Sequence, residues 1–303
     1  VEAFCVTLDG LRARANALDL AAPADRIERV VLLSRIEGTL HEYREQRVFR
    51  EDPYASADVL SSQLNLLAIF HFAPAEERLR AAMEKERQVP RFLAEVRRGL
   101  VPTAPILVQY GLRGTEGALS LVKKDLPVAF EGVGSQALRA EFEEATRTAG
   151  EALERHATWL RKEMPAGPEK AYALGEERYA GWLRAAERVT TPLPELEQWA
   201  LAEIEAARRG IQEEAARLKP GARPADVVAA ITADHPPTGR VVAEARRIAE
   251  EVYTWVRAKD LVTFPTDARV RIDDTPDFMR WSFGSMWSPG PFEKAKDVVA
   301  TFY

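Results

Sequence analysis

From about Arg26 to about Ala258 the chain repeats an apolar residue every three or four positions, and Pro and Gly interrupt that rhythm at intervals. A 3.6-residue period is the mark of amphipathic helices, and a period sustained this far leaves little room for a sheet-based fold. The chain is therefore expected to be mainly α. The pattern predicts a multi-helix, bundle-like lobe over residues 1–260, then the first short strands of a small sheet over residues 261–303.

Individual helices can be placed. Ile27, Val30, Val31, Leu33, Ile36, Leu40 and Tyr43 line one face of a helix that ends before Asp52-Pro53, because a residue preceding Pro avoids the helical well. Tyr54 to Phe70 is apolar nearly all round and is predicted to be buried. Pro74 is expected to open a short helix with Glu76 and Glu77 at its positive end, and Pro90 to open the next. From Ser135 to Met164 the stripe Leu138, Phe142, Ala145, Ala149, Leu153, His156 and Leu160 advances in steps of four and three, the rhythm of a bundle helix. Two further stripes run from Leu196 to Leu218, stopped by Pro220-Gly221, and from Val241 to Val256. Each is expected to bury one face, since helices of this length need packing to persist. After Asp260 the segments 261–264, 270–273 and 298–303 read as strands, separated by a Pro/Gly/Trp-rich loop over 275–291.

Composition narrows the class. A 46% hydrophobic and 29% charged chain can build a core and is not disordered. Its 42 basic and 47 acidic residues are interspersed, which removes the electrostatic footprint of a nucleic-acid or anionic-membrane binder. No apolar run is long enough to cross a bilayer. Cys5 is the sole cysteine, so an internal disulfide is impossible. A cytoplasmic location and an exported form with its signal removed both remain compatible, and the oligomeric state is not legible.

Catalytic signals are sparse. His41-Glu42 begins like a zinc-peptidase helix, but Glu45 stands where the second His belongs, so a solvated face is the expectation. His71 closes an apolar helix, and His235 precedes Pro236-Pro237 in a turn. His156 lies on an apolar stripe and reads as a core histidine with a hydrogen-bond partner. The run Gly111 to Gly117 follows no strand and reads as a flexible link or helix-start glycines, not a phosphate cradle. Glu176 and Glu177 read as the charged start of a helix whose Tyr179, Trp182 and Leu183 turn inward. The loop over 281–291, with Trp281 and Trp287, is either an aromatic wall beside a cleft or an ordered cover over the core edge.

Several runs carry a resemblance: Arg50-Glu51-Asp52-Pro53, Glu77-Arg78-Leu79, Val89-Pro90-Arg91-Phe92-Leu93, Gly175-Glu176-Glu177-Arg178-Tyr179, and Met286-Trp287-Ser288-Pro289-Gly290-Pro291-Phe292-Glu293. In this order, over nearly the whole chain, they resemble the bacterial family called domain of unknown function 885. The resemblance implies kinship with helical zinc metallopeptidases, in which an N-terminal helical lobe leads through a small sheet into catalytic helices. The family's metal run resembles His-Glu-x-x-Pro-Gly-His, followed later by another Glu. Neither occurs in this sequence, so no catalytic or metal-binding residue is carried over. What is implied is a location: the 281–291 loop and the strand ending at Tyr303 should border the cleft.

The substrate-cleft candidates are thus Trp281, Trp287, Ser288, Gly290 and Tyr303, with an edge strand there expected to pair with an extended peptide. Both ends of the sequence read as cuts through a longer chain. The intact protein is expected to hold zinc, to contain a C-terminal catalytic part missing here, and to act on a peptide substrate. The alternative is a non-enzymatic helical scaffold or binding module complete in itself.

Overall fold

A computed structural model of the chain describes residues 1–264, 267–275, 284–289 and 300–302. Among these, the helices in order are α1 (Glu2–Asn16), α2 (Pro23–Arg44), α3 (Val48–Glu51), α4 (Pro53–Ile69), α5 (Ala75–Gly99), α6 (Pro105–Ser120), α7 (Leu126–Ala129), α8 (Gln136–Lys162), α9 (Glu176–Ala186), α10 (Leu193–Leu218), α11 (Pro224–Ala233) and α12 (Val241–Ala258). A π-helical turn, Leu121–Asp125, joins α6 to α7, and three two-residue strands follow: β1 (Arg271–Ile272), β2 (Met286–Trp287) and β3 (Thr301–Phe302). The protein is mainly α, as its periodicity predicts. No helix among the described residues is long and apolar enough to cross a membrane.

The chain divides into two compact units, each assembled from two stretches: residues 1–41 with 175–263, and residues 42–174 with 264–303. The second unit holds the larger core, in which Leu64, Leu79, Met83, Leu93, Leu121 and Leu153 are all but sealed from solvent. Its spine is α5 against α8. Thr146 reaches Glu86 and Glu141 reaches Arg87, while Arg161–Glu116 ties α8 to α6 and Glu154–Lys123 ties it to the π-helical turn that follows α6. Thr146 meets Glu86 and, ten residues on, His156 lies near the Arg97 charge, so α8 and α5 run parallel. The pairs from Glu154 to Lys123 and from Arg161 to Glu116 fall as α8 rises, so α8 runs antiparallel to α6.

Local chemistry explains the joints. Ser135 caps α8 by accepting the Leu138 N–H on its hydroxyl, and Asp52 caps α4 by accepting the Tyr54 N–H at 2.9 Å. Pro53 and Pro105 sit at the first turns of α4 and α6, where a missing N–H costs nothing. The π turn has a cause in Pro127. That residue offers no N–H to the Lys123 carbonyl four positions back, and the Leu126 N–H bonds Leu121, five back, instead.

Three expectations are corrected. Pro90 does not start a helix: it lies inside α5, which continues because Leu79, Ala82, Met83, Glu86, Val89 and Leu93 form one unbroken buried stripe on both sides of it. The glycines from 111 to 117 are not a link. They belong to α6, where a Cβ on Gly111 would fall 2.5 Å from the Pro53 Cβ and one on Gly114 would fall 2.8 Å from the Tyr54 ring. Their absence of side chains is what lets α6 and α4 approach. Residues 261–264 form no strand, whereas β2 arises within the stretch read as a loop.

The first unit is knitted around α2 and α9. A Cβ on Gly38 would meet the Ala186 Cβ at 2.9 Å, and one on Gly181 would meet the His41 ring at 2.6 Å. Arg188, held at φ 59°, adds an ion pair to Glu37 and a hydrogen bond to Ser34. The long helices of this unit depart from expectation. Ala215 is the only buried residue of α10 and α12 has none, while Trp199, Ile204, Ile211, Ile248 and Trp255 are exposed. Amphipathicity set their apolar sides but not what covers them.

Candidate functional site

The three strands are ordered β1-β3-β2, with β1 parallel and β2 antiparallel to the central β3. Arg271 and Asp273 donate their N–H groups to the Ala300 and Phe302 carbonyls, and Trp287 stands opposite Thr301. The strand near Tyr303 is thus the middle one. Its N–H and C=O groups are shared with both neighbours, so among the described residues the outer strands are β1 and β2, not β3.

Of the cleft candidates, Trp287 and Ser288 are placed. The half-buried Trp287 ring packs 6.1 Å from that of Phe70, the residue that ends α4, and its indole N–H donates to the Ser285 hydroxyl at 3.3 Å. Ser288 follows on the exposed side of the strand end, and Met286 is also exposed. Trp281, Gly290 and Tyr303 lie outside the described residues. The Trp287–Phe70 contact ties this strand to the end of α4.

Three of the four histidines are placed by their contacts. His41 is not on a solvated face: its Nε2–H donates to the Arg178 carbonyl at 2.9 Å, where α9 comes close to the ring at Gly181. His235 donates from Nδ1 to the Pro236 carbonyl within its turn. His156 is wholly buried on α8, as its place in the stripe predicts, and its ring stacks 5.7 Å from Trp159. The expected hydrogen bond is not found: among the described residues neither ring nitrogen has a protein partner. Burial, reinforced by the Arg97 charge, pushes its pKa down to about 4.

That neutral imidazole predicts acid lability. The unfolded side chain titrates near 6.5, so stability is complete above that value and falls as pH drops through the folded pKa near 4. The loss should reach about 3 kcal/mol. Urea titrations at pH 7.5 and 4 would show a smaller acid loss in His156→Leu than in the parent; equal losses would remove His156 as the cause.

Sequence reasoning missed two groups. Glu86 is completely buried at the centre of the α5 stripe, where the Thr146 hydroxyl donates to its carboxylate at 3.2–3.3 Å; desolvation pushes its pKa up to about 8, against that hydrogen bond. Its spacing from Met83 and Val89 places it on the buried face, a signal available from sequence. At the start of α4, Asp52, Tyr54 and Asp58 cluster, and burial raises the pKa of all three. Among the described residues no three His, Cys, Asp or Glu side chains converge as a metal-binding group.

With that geometry in place, kinship is decided by one comparison. The model of a family described as bacterial protein of unknown function (DUF885) matches residues 2–302. The chain belongs to DUF885. Among solved structures, this DUF885 chain is similar to a candidate lipoprotein of unknown function from Shewanella oneidensis, with 18% sequence identity and a TM-score of 0.65. The likeness covers 98% of this chain and 56% of the Shewanella chain, and at that identity it speaks to fold alone. The DUF885 chain thus spans little more than half the length of that relative. No curated protein matches it.

Proposed function

We propose that this chain is the N-terminal helical lobe of a zinc-dependent hydrolase acting on peptides or related amides, and that it shapes one wall of the substrate cleft. The observation that carries the reading is one of extent: the DUF885 match runs through residue 302, yet the chain spans only 56% of a solved relative that matches 98% of it. The hydrolase and the metal come from the resemblance of the sequence runs to zinc metallopeptidases.

The described residues of this lobe do not fit a catalytic zinc. His41 and His235 are each held by a backbone carbonyl, His156 is sealed in the core, and no ligand group converges. In the proposal the metal, which would activate water beside a Glu base, is held by polypeptide outside this sequence. This chain's own contribution is positioning. Trp287, anchored on Phe70, and Ser288 sit at β2, an outer strand among the described residues, where an extended peptide could take up main-chain hydrogen bonds.

Elemental analysis of the natural gene product, paired with hydrolysis of a peptide-amide panel, tests the proposal. Stoichiometric zinc, with activity lost to a chelator and restored by zinc, is expected. A natural product that carries no metal and cleaves nothing would leave a helical scaffold or binding module as the better reading.

A further inference from the structure

We propose that the exposed apolar lines of α10 and α12 are the seat of a further helical segment of the same protein, corresponding to the part of the Shewanella chain that this chain does not match. The inference rests on the reading of the chain as one lobe, and adds which surface receives the remainder.

Two lines of side chains carry it. On α10 they are Ile204, Ile211 and Leu218, and on α12 Val241, Ile248 and Trp255; every step is seven residues. These six side chains are between 46% and 58% exposed. Seven-residue spacing keeps each set on one side of its helix and is the spacing by which helices interlock.

On α12 the apolar arc is wider than this line. Val242, Ala249, Tyr253 and Val256 form a half-buried flank, and the exposed flank of Val241, Ile248, Val252 and Trp255 ends at the Glu244–Arg247–Glu251 ion pairs. An arc half covered and half open, rimmed by paired charges, has the anatomy of an interface with an apolar centre and a polar rim.

The occupant follows from two facts. The fold relative has a remainder that this chain does not match, since the likeness covers 56% of it, and the seven-residue spacing of both lines suits a helix as the occupant. The charges of α12 balance, Glu244, Glu250 and Glu251 against Arg246, Arg247 and Arg257, so an anionic lipid surface gains nothing from this helix.

Hydrogen exchange compares residues 1–303 alone with the natural gene product. Amides of α10 and α12 should exchange about a hundredfold more slowly in the natural product. Ile211→Glu with Ile248→Glu should abolish that difference and leave the melting of the 303-residue chain unchanged, because both side chains already face water in it. Equal exchange in the two proteins, or a natural product that ends at Tyr303, overturns the proposal. Protection that grows with the concentration of residues 1–303 alone would instead assign the surface to a second copy. Protection by vesicles of zwitterionic lipid would assign it to a membrane. Protection does not need metal, so a zinc-free product with slowed α12 exchange would sink the hydrolase reading and keep this one.

Discussion

Glu86→Gln should make the second unit more stable at pH 9 and leave it unchanged near pH 4. The carboxyl is fully buried, its protein donor is the Thr146 hydroxyl, and its folded pKa stands near 8 against 4.5 for the free side chain. A raised folded pKa means that the native state holds the proton more tightly than the unfolded chain. Stability is therefore complete below about 4.5 and declines as pH rises through about 8. The full decline is on the order of 4 kcal/mol, a large share of what a domain possesses. Gln keeps the volume and the hydrogen bond to Thr146 but cannot ionise. Amide exchange of α5 and α8 at the two pH values reads the effect, and a parent and variant that weaken alike toward pH 9 would show that Glu86 does not carry it.

Arg78→Met should cost about 3–5 kcal/mol, the scale for breaking a buried charged network. The Arg78 side chain is 5% exposed, and it donates to the Leu67 carbonyl at 2.6 Å, to Ala68 at 3.3 Å and to Ala73 at 3.1 Å while its guanidinium lies 5.7 Å from the centre of the Phe130 ring. Two of those carbonyls belong to the last turn of α4, whose C=O groups have no helical donor. Arg78 is thus the C-terminal cap of α4, reached from the first turn of α5. Met fills the space but supplies no donor, leaving these acceptors desolvated. Arg78→Lys should recover only part of the loss, because one ammonium cannot reproduce the planar fork. A urea midpoint for Arg78→Met equal to the parent's would refute the capping role.

How far the sequence revealed the fold depended on how local the cause was. The long helix α8 was legible to its cap, because Ser135 and the alternating stripe act within the helix itself. Pro90 and the glycines of α6 were misread, because their roles are set by partners: a continuous stripe matched to α8 in one case, and Pro53 and Tyr54 pressed against bare backbone in the other. The strand β2 was hidden because two residues carry no period. His156 was placed correctly in the core, yet among the described residues no protein partner meets its ring nitrogens. The apolar sides of α10 and α12 were correctly drawn, but periodicity cannot report whether a neighbour arrives. The Trp-rich stretch was singled out by resemblance, while the central place of β3 depended on strand order, which no short segment encodes.

The interleaving of the two units has a consequence for handling the protein. Residues 1–41 and 175–263 make one unit and residues 42–174 and 264–303 the other. No single scission can therefore release either body whole. During synthesis, Phe70 leaves the ribosome long before its partner Trp287 exists, so the sheet docks only onto helices that have already waited for it. A protease nick between residues 41 and 42 or 174 and 175 should yield pieces that still travel together, held by the halves each unit borrows from the far side of the cut.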